Sequence, residues 1–330
     1  KQFNHVLLIY AICTPLHVFW CWLYMHVAGL NPGFAVGFAW TTTQLCQYVG
    51  MWSIVYTAEI CTLTWTGWSL DSFKNMGAQV KLSLYSFACM SFEWWNWFIF
   101  TLTAARLGND ELGAMTVAVN ISYFLAMPAT GMGYSIAAIV GNALGAGEPK
   151  RARRFGVMSV IFSLCVAIVI NTVIVLNGDY VATCFSEDED LNPLIASLVP
   201  IICLQNIFDT IQDVEGGLIR GTGRQKISLF FSLTALYLIS QPIGQITTWV
   251  LDWGIYGLWA GVLSASLGLA IAYFIVLFII TDYEKVSEEA QQRRASEVDE
   301  SILDELEREG LLPEVNEIYH KMKNPHTTIQ

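Results

Sequence analysis

One acidic residue, Glu93, lies near the middle of an otherwise uncharged apolar segment, within the sequence FEWWNW at 92–97. An ionised carboxylate at the centre of a bilayer costs about 2.5–3.5 kcal/mol on insertion scales, so an acid at this depth usually serves a function. Helical periodicity places four residues on the face of Glu93, namely Cys89, Asn96, Trp97 and Phe100. An acid, an amide and aromatic rings suit an organic cation, which each ring attracts by about 0.5–2 kcal/mol. A structural hydrogen bond between helices is the alternative role.

A second polar group lies in the apolar segment that ends at Gly216-Gly217. Five of its residues share one predicted helical stripe, namely Gln205, Asp209, Gln212, Asp213 and Gly216. A buried stripe with two carboxylates indicates a path for cations. Asp213 and Glu215 lie nearer the end of the segment, where an acid wetted at the membrane interface is an equal alternative.

Pro128 lies inside another apolar segment, where it removes a backbone hydrogen bond and is expected to kink the helix. Kinked helices often line the substrate sites of transporters, although kinks also serve packing alone. Asn120, two turns earlier, lies close to the same face and offers either an amide to a cavity or a lone packing contact. The predicted substrate-cavity residues are Trp94, Asn96, Trp97, Asn120, Gln205 and Asp213.

These residues belong to a chain of membrane composition, with 54% hydrophobic and 14% charged residues and a mean hydropathy of +0.48. Apolar stretches of about 20 residues recur, and each is long enough to cross a bilayer as a helix. We predict an all-α polytopic membrane protein with about eight transmembrane helices, at 6–28, 34–57, 80–104, 112–140, 155–177, 194–216, 227–250 and 254–281.

The motifs of several other protein classes are absent from the sequence. The eight Cys form no CxxC pair, and neither HExxH nor GxSxG occurs. The glycine-rich stretch 140–147 fits neither a phosphate-binding loop nor a dinucleotide fingerprint. We therefore expect no enzyme, no metal site, no cofactor other than an ion gradient, and no nucleic-acid partner. The chain begins with Lys1 and runs straight into an apolar segment, which we interpret as a fragment.

The net charge of −11 is concentrated at the C-terminus, because residues 282–330 contain 13 acidic and 6 basic residues. The loops at 150–154 and 220–226 are rich in Lys and Arg, which short cytoplasmic loops retain. The loop between them carries acids at 179–190 and no basic residue, which puts it on the other side. This alternation predicts a cytoplasmic acidic tail.

Four sequence landmarks occur in order along the chain, at Thr64–Asp71, Glu93–Trp95, Val140–Gly147 and Gly217–Gly223. In these landmarks the chain resembles the eukaryotic branch of the multidrug and toxic compound extrusion (MATE) family. The resemblance covers about residues 5 to 280 and aligns the eight spans with helices five to twelve of a two-lobe, twelve-helix transporter. It identifies the chain as an N-terminally truncated member, without the first four helices.

The resemblance also implies a domain organisation and two functional acids. Residues 1–58 would be the last two helices of the N-terminal lobe, 59–79 a cytoplasmic linker, 80–282 the six-helix C-terminal lobe and 283–330 the tail. The acids of the family on helices seven and ten fall on Glu93 and Asp209, while Phe98, Ala126 and Ile139 depart from the pattern of the family.

The function that these features predict is a secondary antiporter that exports an organic, cationic compound in exchange for protons, with sodium as the alternative coupling ion. Glu93 and Asp209 would couple the fluxes, because burial favours the protonated form of a carboxylate and a cation favours the ionised form. Two alternatives are a non-transporting membrane fragment or scaffold, and a lipid-linked oligosaccharide flippase. The flippase would need several basic residues in its cavity, and no predicted span supplies them.

Three short tail sequences resemble regulatory signals. They are RRAS at 293–296, which resembles a kinase site, EREGLL at 307–312, which resembles a dileucine signal, and YHKM at 319–322, which resembles a tyrosine-based sorting signal. They predict contacts with a kinase and with sorting adaptors at a eukaryotic plasma membrane or endomembrane. A simply solvated acidic tail is the alternative.

The alternation of basic and acidic loops predicts that Arg151 and Ser296 face the same side, the cytoplasm. Single cysteines placed at 151 and 296 should therefore resist an impermeant thiol reagent in intact cells and react after permeabilisation. Labelling of either position from outside would contradict this topology.

Overall fold

The computed structural model describes residues 3–57 and 76–297, and these form helices and connecting turns without a strand. The α-helices are α1 (Phe3–Trp22), α2 (Pro32–Thr57), α3 (Met76–Leu107), α4 (Asn109–Gly145), α5 (Pro149–Leu176), α6 (Gly178–Phe185), α7 (Asn192–Gly221), α8 (Gln225–Leu233), α9 (Gln241–Trp249), α10 (Ile255–Phe274) and α11 (Tyr283–Glu297). Three π-helical stretches continue them, with Leu23–Val27 after α1, Thr234–Ser240 between α8 and α9, and Ile275–Ile280 after α10.

Each of the eight predicted spans coincides with a long helical segment, which confirms the all-α prediction. Among the described residues, six helices are long and apolar enough to cross a membrane, namely Val6–Val27, Asn109–Gly145, Pro149–Leu176, Asn192–Gly221, Gln225–Trp249 and Ile255–Ile280. The remaining two are α2, which carries no charged residue, and α3, which contains Lys81, Glu93 and Arg106. The landmark at Thr64–Asp71 and most of the predicted linker lie outside the described residues.

The chain divides into two compact units, residues 1–78 and residues 79–330. In the first unit, α1 and the π-helical stretch that follows it pack against α2, and two hydrogen bonds join them to α2. His17 Nδ1 lies 2.9 Å from Thr43 Oγ1, and the Tyr24 hydroxyl lies 2.9 Å from Thr42 Oγ1. Such contacts hold helices together where the surrounding medium supplies no polar partner.

In the second unit, α7 is the central helix and packs against α4, α5 and α10. Two apolar clusters surround it, one that contains Ile202 and Trp259 and one that contains Leu218 and Tyr273. Glycines let α7 approach α4 closely, since a Cβ added at Gly217 would overlap the backbone of Gly133. Close approach of this kind drives helix association inside membranes through van der Waals contact.

The first part of the acidic tail, α11, packs against α4 and α5. Tyr283, Val286 and Ser287 are buried there, and Ser287 Oγ donates to the backbone oxygen of Leu144 at 2.8 Å. Burial raises the pKa of the Tyr283 hydroxyl, against the effect of two nearby arginine side chains. The first residues of the predicted tail are therefore packed against the helices. They lie beside the end of α4, where Ser287 contacts Leu144.

The glycine contact between α4 and α7 can be tested with two identical substitutions. Gly217→Ala should lower the free energy of unfolding by about 1–3 kcal/mol, because its methyl group has no room beside Gly133. Gly131→Ala is the matched control, since a Cβ there meets nothing within 4 Å and alanine favours a helix by about 1 kcal/mol. Thermal unfolding of the solubilised protein measures both, and equal melting temperatures would contradict the close contact.

Candidate functional site

The second unit contains a polar cavity of about 100 Å³ between α3, α7, α8 and α10. Three carboxylates line it, from Glu93 on α3 and from Asp209 and Asp213 on α7, and Arg220 adds one positive charge. This volume holds a few water molecules or an ammonium group, whereas a drug-sized ligand needs a pocket of about 300–1,000 Å³. The cavity can therefore bind the charged group of a larger compound.

The two carboxylates of α7 are linked through Gln212. Its Nε2 donates to Asp209 Oδ1 at 3.1 Å and lies 3.5 Å from Asp213 Oδ1. Thr130 on α4 donates to Asp213 Oδ2 at 3.1 Å, and Ser266 on α10 donates to Asp209 Oδ1 at 3.2 Å. Three helices therefore fix these two acids, which sit one helical turn apart.

Gln205 is fully buried and stabilises the site through hydrogen bonds with two serines. Its Nε2 donates to Ser266 Oγ at 3.1 Å, and its Oε1 accepts from Ser122 Oγ at 3.4 Å. The predicted stripe on α7 is thus present, but Gln205 positions the partner of Asp209 and is not among the residues that line the cavity.

On α3, the predicted face around Glu93 is formed as expected for Asn96 and Trp97, which line the cavity with it. The side chain of Glu93 is exposed, and no hydrogen bond from the residues in 3–57 and 76–297 reaches its carboxylate. Asn96 is buried, and its Oδ1 accepts from Gln241 Nε2 at 2.8 Å. The ring of Trp97 stands edge-on to Trp259 at 5.7 Å. Glu93 can therefore accept a hydrogen bond or a cation from a ligand, and the contacts of Asn96 and Trp97 hold this part of α3 in place.

Three predicted residues lie elsewhere. Trp94 is one position after Glu93, so it turns about 100° around the helix, and its side chain is 58% exposed beside Tyr123. Asn120 does not line this cavity, and its Nδ2 donates to the Thr116 backbone oxygen at 3.0 Å, so a contact between its amide and a substrate stays a prediction. Pro128 does not line the cavity either, and α4 continues as an α-helix through it.

Other polar residues of the site were not predicted from the sequence. Ser228, Ser232, Ser266 and Tyr273 line the cavity from α8 and α10. Single serines in apolar helices carry no sequence signal, so only the helix packing could reveal them. The alternative of a wetted acid does not apply to Glu215, since it is fully buried and neither oxygen has a partner among the described residues.

Residues 86–246, which include the three cavity carboxylates, match the family model MatE. An uncharacterised transporter of Schizosaccharomyces pombe is 31% identical over 272 residues, which are 81% of this chain and 50% of that protein. The chain belongs to the MATE family. Its MATE relatives include multidrug and toxin extrusion protein 2 of Mus musculus, 31% identical over 78% of this chain and 45% of the relative.

The human relative, multidrug and toxin extrusion protein 1, is 28% identical over 69% of this chain and 40% of its own length. The chain thus spans about half the length, or less, of these MATE proteins. Because MATE proteins are transporters, the prediction that this protein is not an enzyme is confirmed.

Solved MATE structures share the fold. The eukaryotic MATE transporter AtDTX14 superposes with a TM-score of 0.79 at 22% identity, over 87% of this chain and 64% of that one. A Vibrio cholerae MATE transporter gives a TM-score of 0.72 at 15% identity, over 84% of this chain and 63% of its own. The prediction of a MATE fold is confirmed by these neighbours.

The different surroundings of Asn96 and Asn120 predict different effects of their removal. Asn96→Ala should lower the free energy of unfolding by about 1–3 kcal/mol, because Gln241 loses its buried acceptor. Asn120→Ala is the matched control and should change it by less than about 0.5 kcal/mol, since the exposed amide bonds only its own helix. Thermal unfolding of the two variants distinguishes them, and similar losses would contradict this placement.

Proposed function

We propose that the protein is a secondary antiporter that exports organic cations in exchange for protons. The observation that carries this proposal is the cavity of three carboxylates in which Glu93 has an accessible side chain and no hydrogen-bond partner among the described residues. A site that only stabilised the fold would satisfy its acids completely, because an unpaired charge inside a membrane is costly.

The coupling follows from competition for the same negative charge. In a medium of low dielectric constant, an empty cavity favours protonated carboxylates, because burial disfavours the ionised form. An organic cation supplies the missing positive charge and displaces a proton from Glu93 or Asp209. Protons that return from the other side then displace the cation as the transporter changes its access.

The surrounding groups support a cationic head group. Trp97 lines the cavity next to Glu93, and an aromatic ring contributes about 0.5–2 kcal/mol to the binding of a cation at its face. The exposed Trp94 lies outside the cavity, where it could contact the apolar remainder of a larger substrate. The gradient supplies about 1.4 kcal/mol for each pH unit and about 2.3 kcal/mol per charge for each 100 mV.

We also propose the coupling ion, the membrane in which the protein resides and the side on which its tail lies. Sodium is the alternative coupling ion, because carboxylate oxygens bind either cation. We place the protein in a eukaryotic plasma membrane or endomembrane with the tail in the cytoplasm, where a kinase and sorting adaptors would meet the signals in 293–322. The organisation into the end of one lobe, a linker and a second lobe remains part of this proposal.

Removing the carboxylates one at a time tests the antiporter. In the full-length protein, Glu93→Gln should abolish exchange of a model organic cation such as tetraethylammonium while folding is retained, because the free carboxylate is lost. Asp209→Asn should weaken cation binding and change its dependence on pH. The double variant should show non-additive effects, since neighbouring acids titrate together.

The measurement is cation binding and pH-driven uptake in proteoliposomes across a range of pH. Asp110→Asn is the matched control, because Asp110 is an exposed acid in the first turn of α4 and lies outside the cavity. Normal exchange by Glu93→Gln would falsify the role of Glu93. Binding in the wild type that does not vary with pH would exclude proton coupling through these acids.

A further inference from the structure

A second cavity, of about 260 Å³, lies between the first turn of α5 and the start of α11. Lys150 and Arg153 line it from α5. Tyr283 and Glu284 line it from α11. Among the described residues, no carboxylate lies within 4 Å of Lys150 or Arg153. Both α5 and the helix that ends at Ile280 are long and apolar enough to cross a membrane, so this cavity lies where two spans reach the bilayer surface.

The two basic residues lie at the end of α5 where a helix disfavours positive charge. The N-terminus of a helix carries about half a positive charge, which attracts anions and repels cations. The first turn of α5 contains no acidic residue, and its N-cap residue, Glu148, makes no capping hydrogen bond. Retention of Lys and Arg in the cytoplasm accounts for basic residues in this loop, but not for their place beside a cavity. A bound anion would compensate both the side chains and the free amide groups.

The hydroxyl of Tyr283 adds a hydrogen-bond donor to the basic side chains. Tyr283 is 5% exposed, and its hydroxyl has no partner among the described residues. Burial raises the pKa of this hydroxyl, whereas the charges of Arg153 and Arg224 lower it, so both guanidinium groups act near it. A buried hydroxyl without a partner is costly, and an anionic oxygen in the cavity would supply the missing acceptor.

Two acids, Asp282 and Glu284, also line this cavity, and their carboxylates have different surroundings. Asp282 Oδ1 accepts from the backbone N–H of Glu284 at 2.9 Å and from that of Lys285 at 3.3 Å, so it caps the start of α11. Glu284 is exposed, and its carboxylate has no hydrogen bond or ion pair in the described part of the chain. A ligand in the cavity therefore meets two positive side chains and one negative side chain that have no such partner.

An exposed apolar surface continues from the cavity along the two spans. On α5, Val157 and Ile161 follow Arg153 at intervals of four residues, so they share its face of the helix, and both are exposed. Ile279 and Ile280, at the end of the other span, are exposed as well. Inside a bilayer such side chains contact lipid acyl chains. A ligand with a charged head group in the cavity and apolar chains below it fits this arrangement better than a soluble anion does.

We propose that this cavity binds the head group of an anionic phospholipid with the chemistry of phosphatidylserine. Lys150 and Arg153 match its phosphate and carboxylate, and Glu284 matches its ammonium group. The Tyr283 hydroxyl donates to the phosphate, and the acyl chains follow the apolar surface of α5. Basic pockets between membrane helices bind anionic head groups, and the cytoplasmic leaflet, which the predicted topology gives to this end of α5, carries phosphatidylserine. The site is separate from the carboxylate cavity, so this inference does not depend on the proposed exchange.

A general attraction between basic residues and an anionic membrane offers a simpler role for Lys150 and Arg153. Each Lys or Arg near the membrane surface then contributes a similar amount, whatever its exact position. That role predicts equal effects for Arg153 and Arg154, because both are exposed on α5 and only Arg153 lines the cavity. It also predicts no preference among lipids of the same net charge. The proposed site predicts a difference in both comparisons.

Native mass spectrometry of the purified full-length protein counts bound lipids and gives their dissociation constants. The probes are dioleoyl phosphatidylserine and dioleoyl phosphatidylglycerol, which have the same chains and the same net charge. We expect phosphatidylserine to bind more tightly. Arg153→Gln and Lys150→Gln should each weaken its binding about fivefold, the usual effect of one basic residue at a membrane surface. Arg154→Gln is the matched control and should leave binding nearly unchanged.

Two further variants test the contacts of the head group. Glu284→Gln should reduce the preference for phosphatidylserine over phosphatidylglycerol, because the ammonium group loses its partner. Tyr283→Phe should weaken binding of both lipids by a few-fold, since both contain the phosphate. Glycerophosphoserine, which is the head group without acyl chains, should bind at least about tenfold more weakly than the lipid, because it buries no apolar surface.

Each comparison can overturn one part of the proposal. Equal effects of Arg153→Gln and Arg154→Gln would show a general attraction and would exclude the cavity as the site. Equal binding of the two lipids by the wild type would contradict the phosphatidylserine head group. Binding of glycerophosphoserine as tight as that of the lipid would contradict a lipid as the ligand. Lys150→Gln decides the first comparison should Arg153→Gln fail to fold.

Discussion

A carboxylate inside a membrane has to be protonated, hydrogen-bonded or matched with a cation, because the surrounding medium cannot solvate its charge. The second unit is organised around this requirement. Asp209 and Asp213 receive hydrogen bonds from Gln212, Thr130 and Ser266, which come from three helices. Glu93 has no such partner among the described residues, so the same cavity contains acids that are held and one that is available. The proposed binding of a cation rests on this difference.

The hydrogen bonds depend in turn on how closely the helices approach. Gly133 and Gly217 meet where α4 crosses α7, and each lies about one helical turn from a residue of the site, Thr130 and Asp213 respectively. Close packing therefore sets the register in which the threonine reaches the acid. In a membrane, where apolar surfaces gain little by leaving lipid, this van der Waals contact and the polar bonds support each other.

Several polar groups lie outside this arrangement. A polar residue in a membrane helix can therefore have a role other than lining the cavity. Glu215 is buried without a partner among the described residues and does not line the cavity. Asn171 and Asn206 join α5 to α7 through a buried bond of 2.9 Å. Asn120 satisfies its amide on its own backbone. Arg220, by contrast, projects its charge into the cavity and gives it two signs of charge.

The sequence by itself determined the helices, the membrane class and the helix faces that carry the acids. Hydropathy and helical periodicity are local properties, so spacing along the chain is enough to group Glu93, Asn96 and Trp97 on one helix, and Asp209, Gln212 and Asp213 on another. Which group faces which was decided only by the tertiary structure. The serines of α8 and α10, the bond from Thr130 and the position of Arg220 depend on distances between helices, which no spacing along one helix encodes. For the same reason the spacing of Asn120 could not distinguish an amide that lines a cavity from a packing contact, and in the packed structure this amide bonds the backbone on the exposed side of α4.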